Sequence, residues 1–113
     1  MKRDQKILDE FGKQLIHTVY DFNYKLLKQA ILHLNKKGAI VDNLDFLCSE
    51  TFESVLFNIL NFFEENEQFK IVYEEEGKQV NLVEISEMLK TEIHGENGWI
   101  ERFSEELKKD NDS

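Results

Sequence analysis

The amino-acid sequence predicts a mainly α fold with a small β-hairpin (α+β): a bundle of about four helices, with the hairpin near residues 69–80. Three observations carry this. No proline occurs in 113 residues, and proline is the residue that stops helices and punctuates loops, so its absence favours long helices joined by short turns. Apolar residues recur at steps of three and four along most of the chain, the period of a helix with one buried face. Phe69-Lys70-Ile71-Val72-Tyr73 instead alternates and is rich in β-branched and aromatic residues, the pattern of a strand. A hydrophobic content of 41% with nine Phe suffices for a core, and the length suits a single domain over residues 1–113.

Taken in order, Asp4 to Lys36 reads as helix on the stripe Leu8, Phe11, Leu15, Val19, Phe22, Leu26, Ala30, with Leu27 and Leu34 continuing it. One rod of that length spans about 50 Å at roughly 1.5 Å per residue, more than a compact domain of this size. The helix is therefore expected either to break near Asp21–Asn23 or to protrude and pack against a second copy. Lys36-Lys37-Gly38 is its stop, with cations at the negative helix end and a glycine able to turn left-handed. Ala39 to Asp45 is a connection or short strand. Glu50 to Glu64 is the next helix, with Phe52, Val55, Leu56, Ile59, Leu60, Phe62 and Phe63 on one broad face. That face is expected to pack on the Leu8–Leu26 stripe. Phe57 falls on the opposite side, among Glu50, Glu53, Asn61 and Glu64.

After the strand at 69–73, Glu74-Glu75-Glu76-Gly77 reads as a turn and Lys78 to Val80 as the returning arm. Asn81-Leu82-Val83-Glu84 has the pattern of a capping box with Asn as cap. A helix from Leu82 to Ile93 follows on the stripe Leu82, Ile85, Leu89, Ile93 and ends at Gly95. Trp99, Ile100, Phe103 and Leu107 mark a last helix opened near Asn97-Gly98, and Lys109–Ser113 form a polar tail.

Charge is unevenly divided. Residues 1–41 hold eight Lys/Arg against four Asp/Glu, a net of +4, and residues 42–113 hold six against nineteen, a net of −13. A field this uneven steers basic partners and repels nucleic acid from the acidic side. The cations of the first helix are interleaved with Asp and Glu over thirty positions, so they do not form a phosphate-binding patch.

No apolar run exceeds three residues, which excludes a membrane span. The single Cys48 cannot form an internal disulfide; it suits a reducing cytoplasm and reads as a small buried apolar residue. His17 and Asp21 share a helical face, but zinc requires three or four ligands and the other histidines lack partner spacing, so no metal is expected. The glutamates of the hairpin lack the alternating Asp/Asn and terminal Glu of a calcium loop. No Gly-rich phosphate loop, nucleophile elbow or Cys-x-x-Cys pair is present, and neither enzyme activity nor a cofactor is expected.

What remains is binding. By composition the chain belongs with small acidic intracellular proteins that neutralise basic ones, such as immunity proteins of bacterial nuclease toxins or inhibitors that imitate nucleic acid. The expected partner is a basic protein, met by Glu64, Glu65, Glu67, Glu74, Glu75 and Glu76, with Phe57 as an aromatic anchor where it is exposed, or as a core residue where the hairpin or the last helix covers it. The other reading is a structural or regulatory helical homodimer built on the long first helix.

Overall fold

The computed structural model describes residues 2–106; Leu107 and the tail 109–113 lie outside the described residues. The chain divides into two compact units, 1–62 and 63–113, and it is mainly helical with a two-stranded hairpin, as the periodicity predicts.

In the first unit, α1 (Lys2–Leu15), a π-helical segment (Ile16–Asp21) and α2 (Phe22–Lys36) follow without interruption. Leu15, Asp21 and Phe22 all keep helical dihedrals, so the expected break near Asp21–Asn23 does not occur. Polar side chains within and just after the π segment donate to carbonyls one turn back. Thr18 Oγ1 donates to the Gln14 carbonyl at 2.7 Å, and Asn23 Nδ2 donates to that of Val19, also at 2.7 Å. Side-chain insertion of this kind is a recognised cause of local change in helical winding.

The π segment corrects the expected stripe. Four residues of α-helix turn about 40° past a full circle, so a seam with steps of four would wander off its face. The wider π turn absorbs one more residue and advances the later pattern by one position. Hence Phe11, Leu15, Val19, Asn23, Leu27 and Ala30 form the seam. Asn23 is 5% exposed, while Phe22, expected inside, is 50% exposed, and Leu8 and Leu26 are exposed as well.

Lys37 closes the helix. The Ala39 N–H returns to the Leu34 carbonyl at 2.9 Å and the Gly38 N–H to that of Asn35 at 3.1 Å, a Schellman ending at the predicted stop. A short 3₁₀ turn, Val41–Asn43, leads into α3 (Leu44–Glu65), which begins six residues before the expected Glu50.

Within the first unit α3 runs back along the first helix as an antiparallel αα-hairpin. Phe11 meets Phe62 edge-to-face, with ring centroids 5.6 Å apart. Leu15 and Val19 line one groove with Ile59 and Val55, and Leu27 and Ala30 line another with Leu47 and Thr51. The α3 seam is thus Leu47, Thr51, Val55, Ile59 and Phe62. Phe52 and Leu56, expected inside, are exposed; each lies one position, about 100°, beyond the seam. Cys48, also one position beyond it, is exposed and not buried.

In the second unit β1 (Val72–Glu75) pairs antiparallel with β2 (Lys78–Asn81), Glu75 opposite Lys78. The turn is therefore only Glu76-Gly77, and the first strand starts three residues later than expected. Both turn residues have positive φ, 51° and 81°, as a two-residue type I′ turn requires, which explains the glycine. Asn81 caps α4 (Leu82–Ile85), its Oδ1 accepting from the Val83 N–H at 3.1 Å.

The expected helix from Leu82 to Ile93 is not continuous. Ser86 and Met88 are extended, and a 3₁₀ segment, Leu89–Ile93, follows. Leu89 and Ile93 are nevertheless buried, at 3% and 2% exposure, while Ile85 stays wet. Gly98 opens α5 (Trp99–Phe103) where predicted. A Cβ at Gly98 would fall on the His94 carbonyl, so the chain passes itself too closely there for any side chain.

Ile93→Ala should cost ~2–5 kcal/mol in urea unfolding, whereas Ile85→Ala on the surface should stay within about 0.5 kcal/mol. Gly98→Ala should cost ~1–3 kcal/mol through the displacement it forces on the His94 backbone.

Candidate functional site

Divided by structural unit, the charge separates completely. Residues 1–62 carry eight Lys/Arg and eight Asp/Glu, a net of zero; residues 63–113 carry six and fifteen, a net of −9. The entire net charge of the protein belongs to the second unit, whose candidate surface is built on the hairpin.

Antiparallel pairing fixes which hairpin residues share a face. Alternation places Tyr73 and Glu75 on the same side, and the Tyr73 hydroxyl donates to Glu75 Oε2 at 2.9 Å. Gln79 Nε2 lies 3.4 Å from Glu74 Oε2 as donor. Glu76 occupies the turn tip. All three glutamates are exposed, as are Glu65 and Glu67. Tyr73 is exposed beside them. Tyr73 reads from the sequence as a strand residue alone, and its two-residue spacing from Glu75 is the signal that the pair shares a face.

Glu64 differs from the rest of the acidic group. It is half-buried; its Oε1 accepts the Lys90 backbone N–H at 2.6 Å, and Oε2 lies 3.6 Å from Lys90 Nζ. In a continuous α-helix the Lys90 N–H would bond to the carbonyl of Ser86. Glu64 takes that donor, and the Ser86 hydroxyl reaches Glu92 Oε1 at 3.1 Å. The predicted helix over 82–93 thus gives way to α4, an extended link and a 3₁₀ turn, with the Lys90 N–H on the Glu64 carboxylate in place of a helical carbonyl. Phe57, on α3, is half-buried and engaged within the protein.

The first unit has open grooves of about 220 Å³ and 310 Å³. Neither is lined by a histidine, a cysteine or a pair of carboxylates; the smaller carries Glu50, Thr51 and Ser54 among apolar side chains, and the larger Tyr20, Tyr24 and Thr51. Among the described residues, no group of three or more His, Cys, Asp or Glu side chains is placed to hold a metal ion. No helix among them is long and apolar enough to cross a membrane. No family model, curated protein or solved structure matches the chain.

Glu64→Ala should cost ~1–3 kcal/mol, because it leaves a partly buried backbone N–H without its acceptor. Glu64→Gln keeps an acceptor and loses only the ion pair, so its cost should stay at ~0–1 kcal/mol. Equal losses for the two variants in urea unfolding would place the effect in the charge and not in the backbone bond.

Proposed function

We propose that the protein acts by binding a basic protein partner through its acidic second unit, as an inhibitor or immunity-type protein that neutralises a basic enzyme such as a nuclease toxin. The observation that carries this reading is the segregation of charge. A net of −9 falls on residues 63–113 while residues 1–62 are neutral, so the attractive field for a cation-rich surface originates in one unit. Glu65, Glu67, Glu74, Glu75 and Glu76 present carboxylates to solvent, and Tyr73 adds an exposed aromatic ring beside Glu75. Charge at such a surface accelerates encounter, and an aromatic at its centre supplies affinity at contact.

Immobilised protein should retain a basic partner from cell extract at about 0.1 M salt and release it towards 1 M, as the screening length falls from about 10 Å to about 3 Å. With that partner purified, reversal of Glu74, Glu75 and Glu76 to Lys should slow association far more than it speeds dissociation. If the partner is a nuclease, one equivalent of the protein should abolish its activity. An association rate indifferent to both salt and the reversals would remove the hairpin from the interface.

A further inference from the structure

The hairpin that carries the exposed glutamates also has an unpaired edge. Its register is Glu75↔Lys78, Glu74↔Gln79, Tyr73↔Val80 and Val72↔Asn81. A two-residue turn makes the pair beside it a hydrogen-bonded one, and bonded and non-bonded pairs then alternate along the strands. The bond from the Leu82 N–H to the Ile71 carbonyl, at 3.0 Å, continues that alternation past the strand end. Glu75 and Tyr73 therefore turn their backbone groups inward to β2, while Glu74 and Val72 turn theirs outward. Among the described residues, nothing pairs with the backbone N–H or C=O of Val72 or Glu74. All four residues of β1 are exposed, whereas β2 is half-buried at Val80 and Asn81 and runs directly into α4. Four strand-type backbone groups thus face solvent on one edge, the template on which another strand can pair.

We propose that the outer edge of β1 accepts an extended, cationic strand of the partner as a third strand of the sheet. The proposal rests on the reading of the second unit as the site for a basic protein, and it gives that site a mode of recognition. Main-chain bonds to Val72 and Glu74 set the register, and the alternation of side chains sets the selectivity. Glu74 and Glu75 are consecutive, so their carboxylates stand on opposite faces of the sheet. A strand that meets both must carry cations at two consecutive positions. Beside Val72 and Tyr73, on the same two faces, β-branched or aromatic side chains fit best. Antiparallel addition, the more stable ladder per residue, then orders the recognised segment from its N-terminus as two cations followed by two apolar residues, with Glu76 at the turn tip beyond the first cation. Charge disfavours a second copy of this chain on the edge. Each second unit carries a net of −9, so two of them approach against a like field.

The test uses the full chain and a synthetic peptide, blocked at both ends, with Lys-Lys-Ile-Val at its centre. In the proposed register its second Lys lies opposite Glu74 and its Val opposite Val72, so the N–H groups of those two residues face β1. The peptide should bind in a calorimetric titration at about 0.1 M salt and weaken towards 1 M. Methylation of the backbone nitrogens of the second Lys and the Val removes the donors that face β1 and keeps every charge, and it should weaken binding about ten-fold or more. Methylation of the first Lys and the Ile, whose N–H groups face away, should leave the affinity unchanged. Amide hydrogen exchange at Val72 and Glu74 should slow when the unmodified peptide binds, a reading that requires no variant of the protein to fold. Equal affinity for the two methylated peptides overturns strand addition, and retained salt sensitivity then leaves the acidic-unit reading standing. The expected methylation pattern with an affinity indifferent to salt overturns the cationic strand and the acidic-unit reading together. No binding up to ~1 mM peptide, or unchanged exchange at Val72 and Glu74, overturns the proposal. Concentration-dependent protection of those two amides without peptide, accompanied by a dimer in light scattering, makes a second copy the occupant and overturns it as well.

Discussion

The seam between the first helix and α3 depends on the six π-helical residues Ile16–Asp21, since they keep a face with steps of four in line over the whole hairpin. Without them, Val19 and Leu27 would stand at increasingly different angles, and Phe22 and Leu26 would turn inward as an ideal helix requires. With them, Asn23 enters the seam and satisfies its amide on the Val19 carbonyl, so a polar residue is buried without an unpaired group. The same shift turns Phe22 towards solvent and leaves Ile16, Tyr20 and Tyr24 along the rim of a groove. One extra residue in a turn therefore decides which apolar side chains the unit buries and which it presents.

The second unit is organised by a different kind of interaction. Glu64, at the end of α3, binds the backbone and side chain of Lys90, and Leu89 and Ile93 are buried on either side of that tether. Leu89 and Ile93 bound a 3₁₀ segment and not the α-helix that their spacing of four predicts, and Lys90 inside it is held by Glu64. Acidity in this unit thus has two uses. Glu64 serves the fold, and the exposed glutamates of the hairpin supply the long-range field.

Much of this was legible in the sequence. Lys36-Lys37-Gly38 ended the helix, Asn81 capped α4, Gly98 opened α5, and the alternation before Gly77 produced the hairpin; each is a local rule that backbone geometry enforces within a few residues. The uneven charge was equally plain from composition. Tertiary structure decided the rest. The sequence does not announce a π turn, because its periodicity fits an unbroken α-helix; the stripe expected on 100° steps is therefore off by one residue after Val19, and Phe22 and Leu26, like Phe52 and Leu56 on α3, lie outside the core. Nor does it show that Glu64 reaches Lys90 across twenty-six positions, which divides an apparently regular helix and withdraws one glutamate from the exposed acidic group. Periodicity determines that a face is apolar; the winding and pairing of the folded chain determine which element, if any, covers it.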